Sequence, residues 1–142
     1  MTIARLMQGK NADIYTIAAE KTVRDAIVIL AQRRIGALPV MEGEDLAGVF
    51  SERDVIYQLQ ANGPEVLDYP VRQVMTSPAV TVDPDTDVLT ALALMTRRRI
   101  RHLPVVQDGR MIGVVSIGDL VKSRIERIES EAEALRTYIQ TA

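Results

Sequence analysis

The chain has no cysteine and no tryptophan, and it carries one phenylalanine, four tyrosines and one histidine. Without thiols there is no disulfide, no thiolate zinc site and no cysteine nucleophile. A single imidazole, His102, excludes a centre built from several histidines. So few aromatics leave little to stack on nucleobases, and a formal net charge of −2 argues against a general nucleic-acid binder. No apolar run nears the roughly 18 residues of a membrane span. The run at 26–31 is short and lies inside a helical pattern. The opening stretch, MTIARLMQGKNADIYT, lacks the sustained apolar segment of a secretory signal. Together with the missing cysteine, this fits a cytoplasmic protein. There is also no Walker-type glycine loop, no metal-ligand cluster and no Ser/His/Asp set at recognisable spacing, so an enzyme is not expected.

What is present is a duplication. Sliding the sequence by 65 lays residues 33–54, RRIGALPVMEGEDLAGVFSERD, over residues 98–119, RRIRHLPVVQDGRMIGVVSIGD, without a gap. Identities include Arg34/Arg99, Pro39/Pro104, Gly48/Gly113, Ser51/Ser116 and Asp54/Asp119. A fixed offset that keeps glycine, proline, serine and aspartate implies one structural unit used twice. In a chain of 142 residues each unit is too short to bury a core well alone, so the halves are expected to depend on each other. Upstream, IARLM at 3–7 resembles VRQVM at 71–75 at an offset of 68, which places three extra residues within 9–15 of the first copy.

Each unit reads β-α-β-β-α, a mixed α/β fold. Short strands are expected at 15–17 and 80–82, the second followed by an Asp83-Pro84-Asp85 turn. Thr22 and Asp87 suit helix N-caps, and apolar spacing carries the helices behind them to about Arg34 and Arg99. Strand pairs follow at 37–41 with 46–50 and at 102–106 with 111–115, the second turning through Asp108-Gly109. Ser51 and Ser116 open the closing helices. The first should stop near Asn62-Gly63-Pro64. The second does not stop, because Val121, Ile125, Ile128, Ala132, Leu135 and Ile139 recur at alternating steps of four and three. Such a seam favours a homodimer contact over cover for its own domain. The organisation is a first repeat at 1–63, a linker at 64–70, a second repeat at 71–125 and a helical extension at 126–142. The repeats should pack about a pseudo-two-fold axis.

The paired Arg-Arg-Ile-x-x-Leu-Pro-Val and Gly-Val-x-Ser-x-x-Asp motifs resemble a tandem pair of CBS domains, the module named after cystathionine β-synthase. The resemblance covers roughly residues 1–125. It implies two clefts related by the pseudo-two-fold, taking AMP, ADP, ATP, a dinucleotide such as NAD(H), or S-adenosylmethionine. It also implies sensing on behalf of a separate protein, here an unidentified regulated partner. The expected function is therefore a non-catalytic, adenine-nucleotide-sensing regulatory module, with no nucleic-acid or membrane partner. The alternative is an adaptor that keeps the fold and binds no ligand.

Ser-x-x-Asp alone is a helix capping box. The resemblance gives it a second role, because an aspartate one turn into a helix can offer both oxygens to the vicinal hydroxyls of a ribose. The implied second site comprises Ala79, Val80, Arg99, Arg101, His102, Pro104, Ser116 and Asp119. The implied first site comprises Tyr15, Arg34, Pro39, Ser51, Arg53 and Asp54. Arginine and histidine suit phosphate, Ala79, Val80 and Pro104 suit adenine, and the Ser/Asp pairs suit the sugar. Gly36-Ala37 stand where the second half has Arg101-His102, so the second site is expected to be the stronger. Arg53, in place of Gly118, is the compensating charge, and the pseudo-two-fold could carry basic residues of one half to the ligand of the other.

Overall fold

The structure, a computed structural model, describes residues 1–9 and 14–141. The three residues that lengthen the first copy were expected within 9–15, and that stretch lies mostly outside the described residues. In chain order the elements are α1 (Ile3–Gln8), β1 (Ile17–Ala18), α2 (Val23–Arg33), β2 (Ala37–Glu42), β3 (Asp45–Ser51) and α3 (Glu52–Asn62). A 3₁₀ turn (Pro64–Asp68) leads into α4 (Val71–Val74), α5 (Val88–Arg98), β4 (His102–Gln107), β5 (Arg110–Ser116) and α6 (Ile117–Thr141).

The offset of 65 holds down to single hydrogen bonds. Val40 faces Gly48 in the antiparallel β2–β3 pair as Val105 faces Gly113 in β4–β5, and both ladders slip at the next residue. The slips, at Val40/Met41 and Val105/Val106, are the same bulge used twice. The helices before these hairpins end alike. Arg34 and Arg99 turn left-handed, at φ 52° and 55°, and the next N–H, of Ile35 or Ile100, donates back to Leu30 or Met95 at 3.1 and 3.0 Å. That closes the last turn and sends the chain into the following strand. The expected N-caps also form. Thr22 accepts from Asp25 N–H in a full capping box, and the Asp87 carboxylate accepts from Leu89 N–H.

The entry strands differ for a reason that lies in one residue. In the first half, Ile17 and Ala18 pair parallel with Val40 and Met41, and Ala19 N–H donates to the Met41 carbonyl at 2.9 Å. In the second half Pro84 stands where Ala19 does and has no N–H to give. Pairing there shrinks to a single bridge between Val82 and Val105. The strand expected at 80–82 is thus reduced to one residue, and that expected at 15–17 is displaced to 17–18. The result is a three-stranded sheet β1-β2-β3 and a two-stranded sheet β4-β5, with β3 lying against β5.

Each unit completes its core with a short helix taken from the start of the other. Ile3 of α1 is fully buried among Val88, Ala91, Leu103, Val105, Val115 and Leu120 of the second half. Val71 and Val74 of α4 are buried among Val23, Ala26, Leu38, Val40 and Phe50 of the first. The backbone contacts match. Ile3 and Ala4 N–H donate to Thr86 and Pro84 carbonyls, and Val71 and Arg72 N–H donate to those of Lys21 and Ala19. Met7 lies over Gly113 as Met75 lies over Gly48, where a glycine leaves room for the crossing chain. Burying a residue such as Ile3 contributes roughly 1.5–3 kcal/mol, so the exchange couples the halves energetically. The stretch at 64–70 shares in this, since Val66 of its 3₁₀ turn is fully buried in the first core. The long last helix forms as expected, 25 residues with only Leu120 buried. No helix among the described residues is long and apolar enough to cross a membrane.

Candidate functional site

Ser51 and Ser116 sit at the ends of β3 and β5, where the chain turns from strand to helix. In both halves the aspartate three residues on closes a capping box. Ser51 N–H donates to Asp54 Oδ2 at 2.9 Å, and Asp54 N–H donates to Ser51 Oγ at 3.3 Å. Ser116 and Asp119 repeat this at 2.9 and 3.2 Å. The Ser51 hydroxyl also donates to Asp54 Oδ2 at 3.1 Å. The cap turns each carboxylate back onto its own helix start, and both aspartates border the cleft between the halves, with the helix N–H groups beside them.

Two of the cavities in that cleft are bordered by the Ser/Asp pairs. The smaller, about 390 Å³, is lined by Ser51, Glu52, Arg53, Asp54 and Tyr57 from the first half. Thr76, Ala79, Val80, Arg98, Arg99, Arg101 and His102 close it from the second. The larger, about 780 Å³, is lined by Ser116, Asp119, Ile112 and Val114 from the second half and by Tyr15, Arg34 and Pro39 from the first. His102, Gly36 and Ala37 border both. Volumes of this order suit a small ligand.

The residues expected to act together within a repeat are therefore regrouped across the axis. Ala79, Val80 and Arg99 meet Ser51, Arg53 and Asp54 and not Ser116 and Asp119; Arg101 joins them, and His102 lies between the two pairs. Tyr15, Arg34 and Pro39 meet Ser116 and Asp119. Pro104 lines neither cavity; it is buried, and its carbonyl accepts from Val82 N–H at 3.1 Å. Thr76, Glu52 and Tyr57 were not foreseen. Gly48 could have signalled Thr76, because a Cβ at that position would sit 2.6 Å from the Thr76 carbonyl.

Charge separates the two cavities. The smaller collects four arginines against two acids, the larger one arginine against one acid. Arg53 Nη1 donates across the axis to the Arg99 carbonyl at 2.7 Å, tying α3 to the left-handed turn that ends α5. Gly118 occupies the matching position in the second half and has no side chain to do the same. Arg101 Nη2 lies 3.5 Å from Glu52 Oε1, an exposed pair that water screens. Partial burial pushes the Asp54 carboxyl above its ordinary range, against hydrogen bonds from Ser51 and Thr76 and the nearby Arg53 charge. Gly36 is small for a reason also: a Cβ there would stand 3.0 Å from His102 Cε1. Gly36 thus leaves room for the His102 ring where the two strand starts meet.

Comparisons with known proteins agree with this architecture. The CBS domain family profile matches residues 4–61 and again 71–126. The chain is 39% identical over 148 aligned residues to the mitochondrial CBS domain-containing protein CBSX3 of Arabidopsis thaliana, covering 98% of this chain and 72% of that one. A solved structure of a CBS-domain protein from Burkholderia ambifaria is 39% identical and superposes with a TM-score of 0.83, covering 89% of this chain and 95% of its own. The CBS domain pair of protein MJ0100, solved with 5′-methylthioadenosine and S-adenosyl-L-methionine, shares the fold at 22% identity and a TM-score of 0.77, covering 89% of this chain and 98% of its own.

Proposed function

The chain belongs to the CBS domain family, and on that premise we propose that it is a regulatory module without catalysis of its own. In this reading the smaller cavity binds an adenine nucleotide of the AMP, ADP, ATP or NAD(H) class, and occupancy modulates a partner protein. The observation that carries it is the meeting of the Ser51/Asp54 helix start with Arg99 and Arg101 from the other half. A carboxylate beside a helix N-terminus suits ribose hydroxyls, and the guanidinium groups suit phosphate through paired donors of fixed charge. Ala79 and Val80 supply an apolar wall for the base. The larger cavity, with Asp119, Ser116, Tyr15, Arg34 and Pro39, is the less charged subsite. That the MJ0100 pair holds two adenosine derivatives supports the class of ligand.

One observation favours the adaptor instead. The Ser51 N–H and hydroxyl both engage Asp54 Oδ2, so the carboxylate already has a structural use. The two readings part on the sugar. If Asp54 accepts from ribose, deleting the 2′-hydroxyl removes one hydrogen bond to a charged group, worth roughly 1.5–3 kcal/mol. AMP should then bind about 10- to 150-fold more tightly than 2′-deoxy-AMP by calorimetry. Equal affinities, or no binding of either, would leave the adaptor.

A further inference from the structure

The face of α6 left to solvent has a period of its own. Val121, Ile125, Ile128, Leu135 and Ile139 are 42–64% exposed, and with Ala132 they recur at alternating steps of four and three. That is the spacing at which two helices supercoil along one seam. Taking Ile125, Ala132 and Ile139 as a and Val121, Ile128 and Leu135 as d, the buried Leu120 falls at c. The helix thus uses one face to cover its own core and presents a different face outward.

The residues flanking the seam decide what fits it. Positions g hold Arg124, Glu131 and Tyr138, and positions e hold Lys122, Glu129 and Arg136. In a parallel, in-register pair, g of one helix meets e five residues later on the other. Arg124 then meets Glu129 of the second copy, and Glu131 meets its Arg136; both pairs are opposite in charge, and symmetry makes each twice. In an antiparallel pair covering all six seam residues, Ile125 faces Leu135. That arrangement brings Glu131 to Glu131, Glu129 to Glu129 and Lys122 to Arg136, like charges in each, and sets Arg124 beside the uncharged Tyr138. Arg127 Nε, 3.1 Å from Glu131 Oε1 within the helix, holds that carboxylate at the flank.

We propose that α6 docks on α6 of a second copy of this chain as a parallel two-stranded coiled coil whose direction is set by these charges. The proposal rests on the last helix alone and stands apart from the nucleotide reading. The full chain tests it, because the absence of cysteine makes a single introduced thiol unambiguous. Parallel pairing sets position 135 against itself, so Leu135→Cys treated with oxidised glutathione should give a disulfide-linked dimer on a non-reducing gel. Antiparallel pairing would instead link a mixture of Ile125→Cys and Leu135→Cys chains and leave Leu135→Cys alone unlinked, which would overturn the proposal. Arg124→Glu should weaken the dimer about tenfold in sedimentation, and adding Glu129→Arg should restore it. A monomeric wild type, or a dimer indifferent to both reversals, would equally overturn it.

Discussion

The two hairpins agree in register, bulge and cap, yet the cavities beside them differ in what they can hold. Four arginines line one and a single arginine the other. Two of the three extra arginines follow from sequence, Arg101 against Gly36 and Arg53 against Gly118; the third, Arg98, has an identical counterpart in Arg33, which lies over the Tyr15 ring and does not line the larger cavity. The backbone plan tolerates little change because every hydrogen bond in it has a partner to lose. Side chains at the axis are freer, but not independent, since a side chain at 36 would press on His102. Duplication has kept the skeleton symmetric and made the chemistry asymmetric.

The largest effect that would break this comparison is on affinity. If the smaller cavity is the nucleotide site, Asp54→Ala should weaken AMP binding about 10- to 150-fold in calorimetry. Asp119→Ala, on the other cavity, should change it by no more than about threefold. A greater loss in Asp119→Ala would return the stronger site to the second repeat's own Ser/Asp pair. A smaller effect has the opposite sign. Glu52 holds Arg101 in an exposed ion pair, so Glu52→Ala should free the guanidinium and tighten AMP by roughly two- to fivefold, with adenosine unchanged. Weaker binding would mean that Glu52 orients Arg101 instead of competing for it.

The smallest effect concerns pH. Asp54 holds its proton more tightly folded than unfolded, because burial penalises the charge. Its stabilising contribution is therefore full below the unfolded value and lost as pH rises through the raised folded value. Compared with Asp54→Asn, which does not titrate, wild type should gain stability as pH falls through that window. Urea denaturation at neutral and mildly acid pH reads the difference, and a gain in the reverse direction would contradict the burial argument.

Much of this was legible because repeated residues imply repeated geometry. Thr22, Asp87, Arg34 and Arg99 marked helix ends, and Asp108-Gly109 marked a turn in which both residues take positive φ, 53° and 78°. The entry strands were less legible, because an apolar pair such as Val80 and Val82 reads as strand until the missing N–H of Pro84 is set against its partner. The grouping of site residues was legible only as a possibility of the axis. An offset in sequence says which residues are equivalent and nothing about which equivalents face each other. Arg99 and Asp54 meet through packing between units, and Pro104 lines neither cavity although its equivalent Pro39 lines one.

The exchange of α1 and α4 has a consequence for the order in which the protein comes into being. A ribosome adds residues from the N-terminus, and folding can begin only with what has emerged. After residue 62 the whole of β2, β3 and α3 is available, but the first core still lacks Val66, Val71 and Val74. Ile3, made well before them, has no place to go until Leu103, Val115 and Leu120 exist. The first half is therefore finished by the start of the second, and α1 waits for β4, β5 and α6.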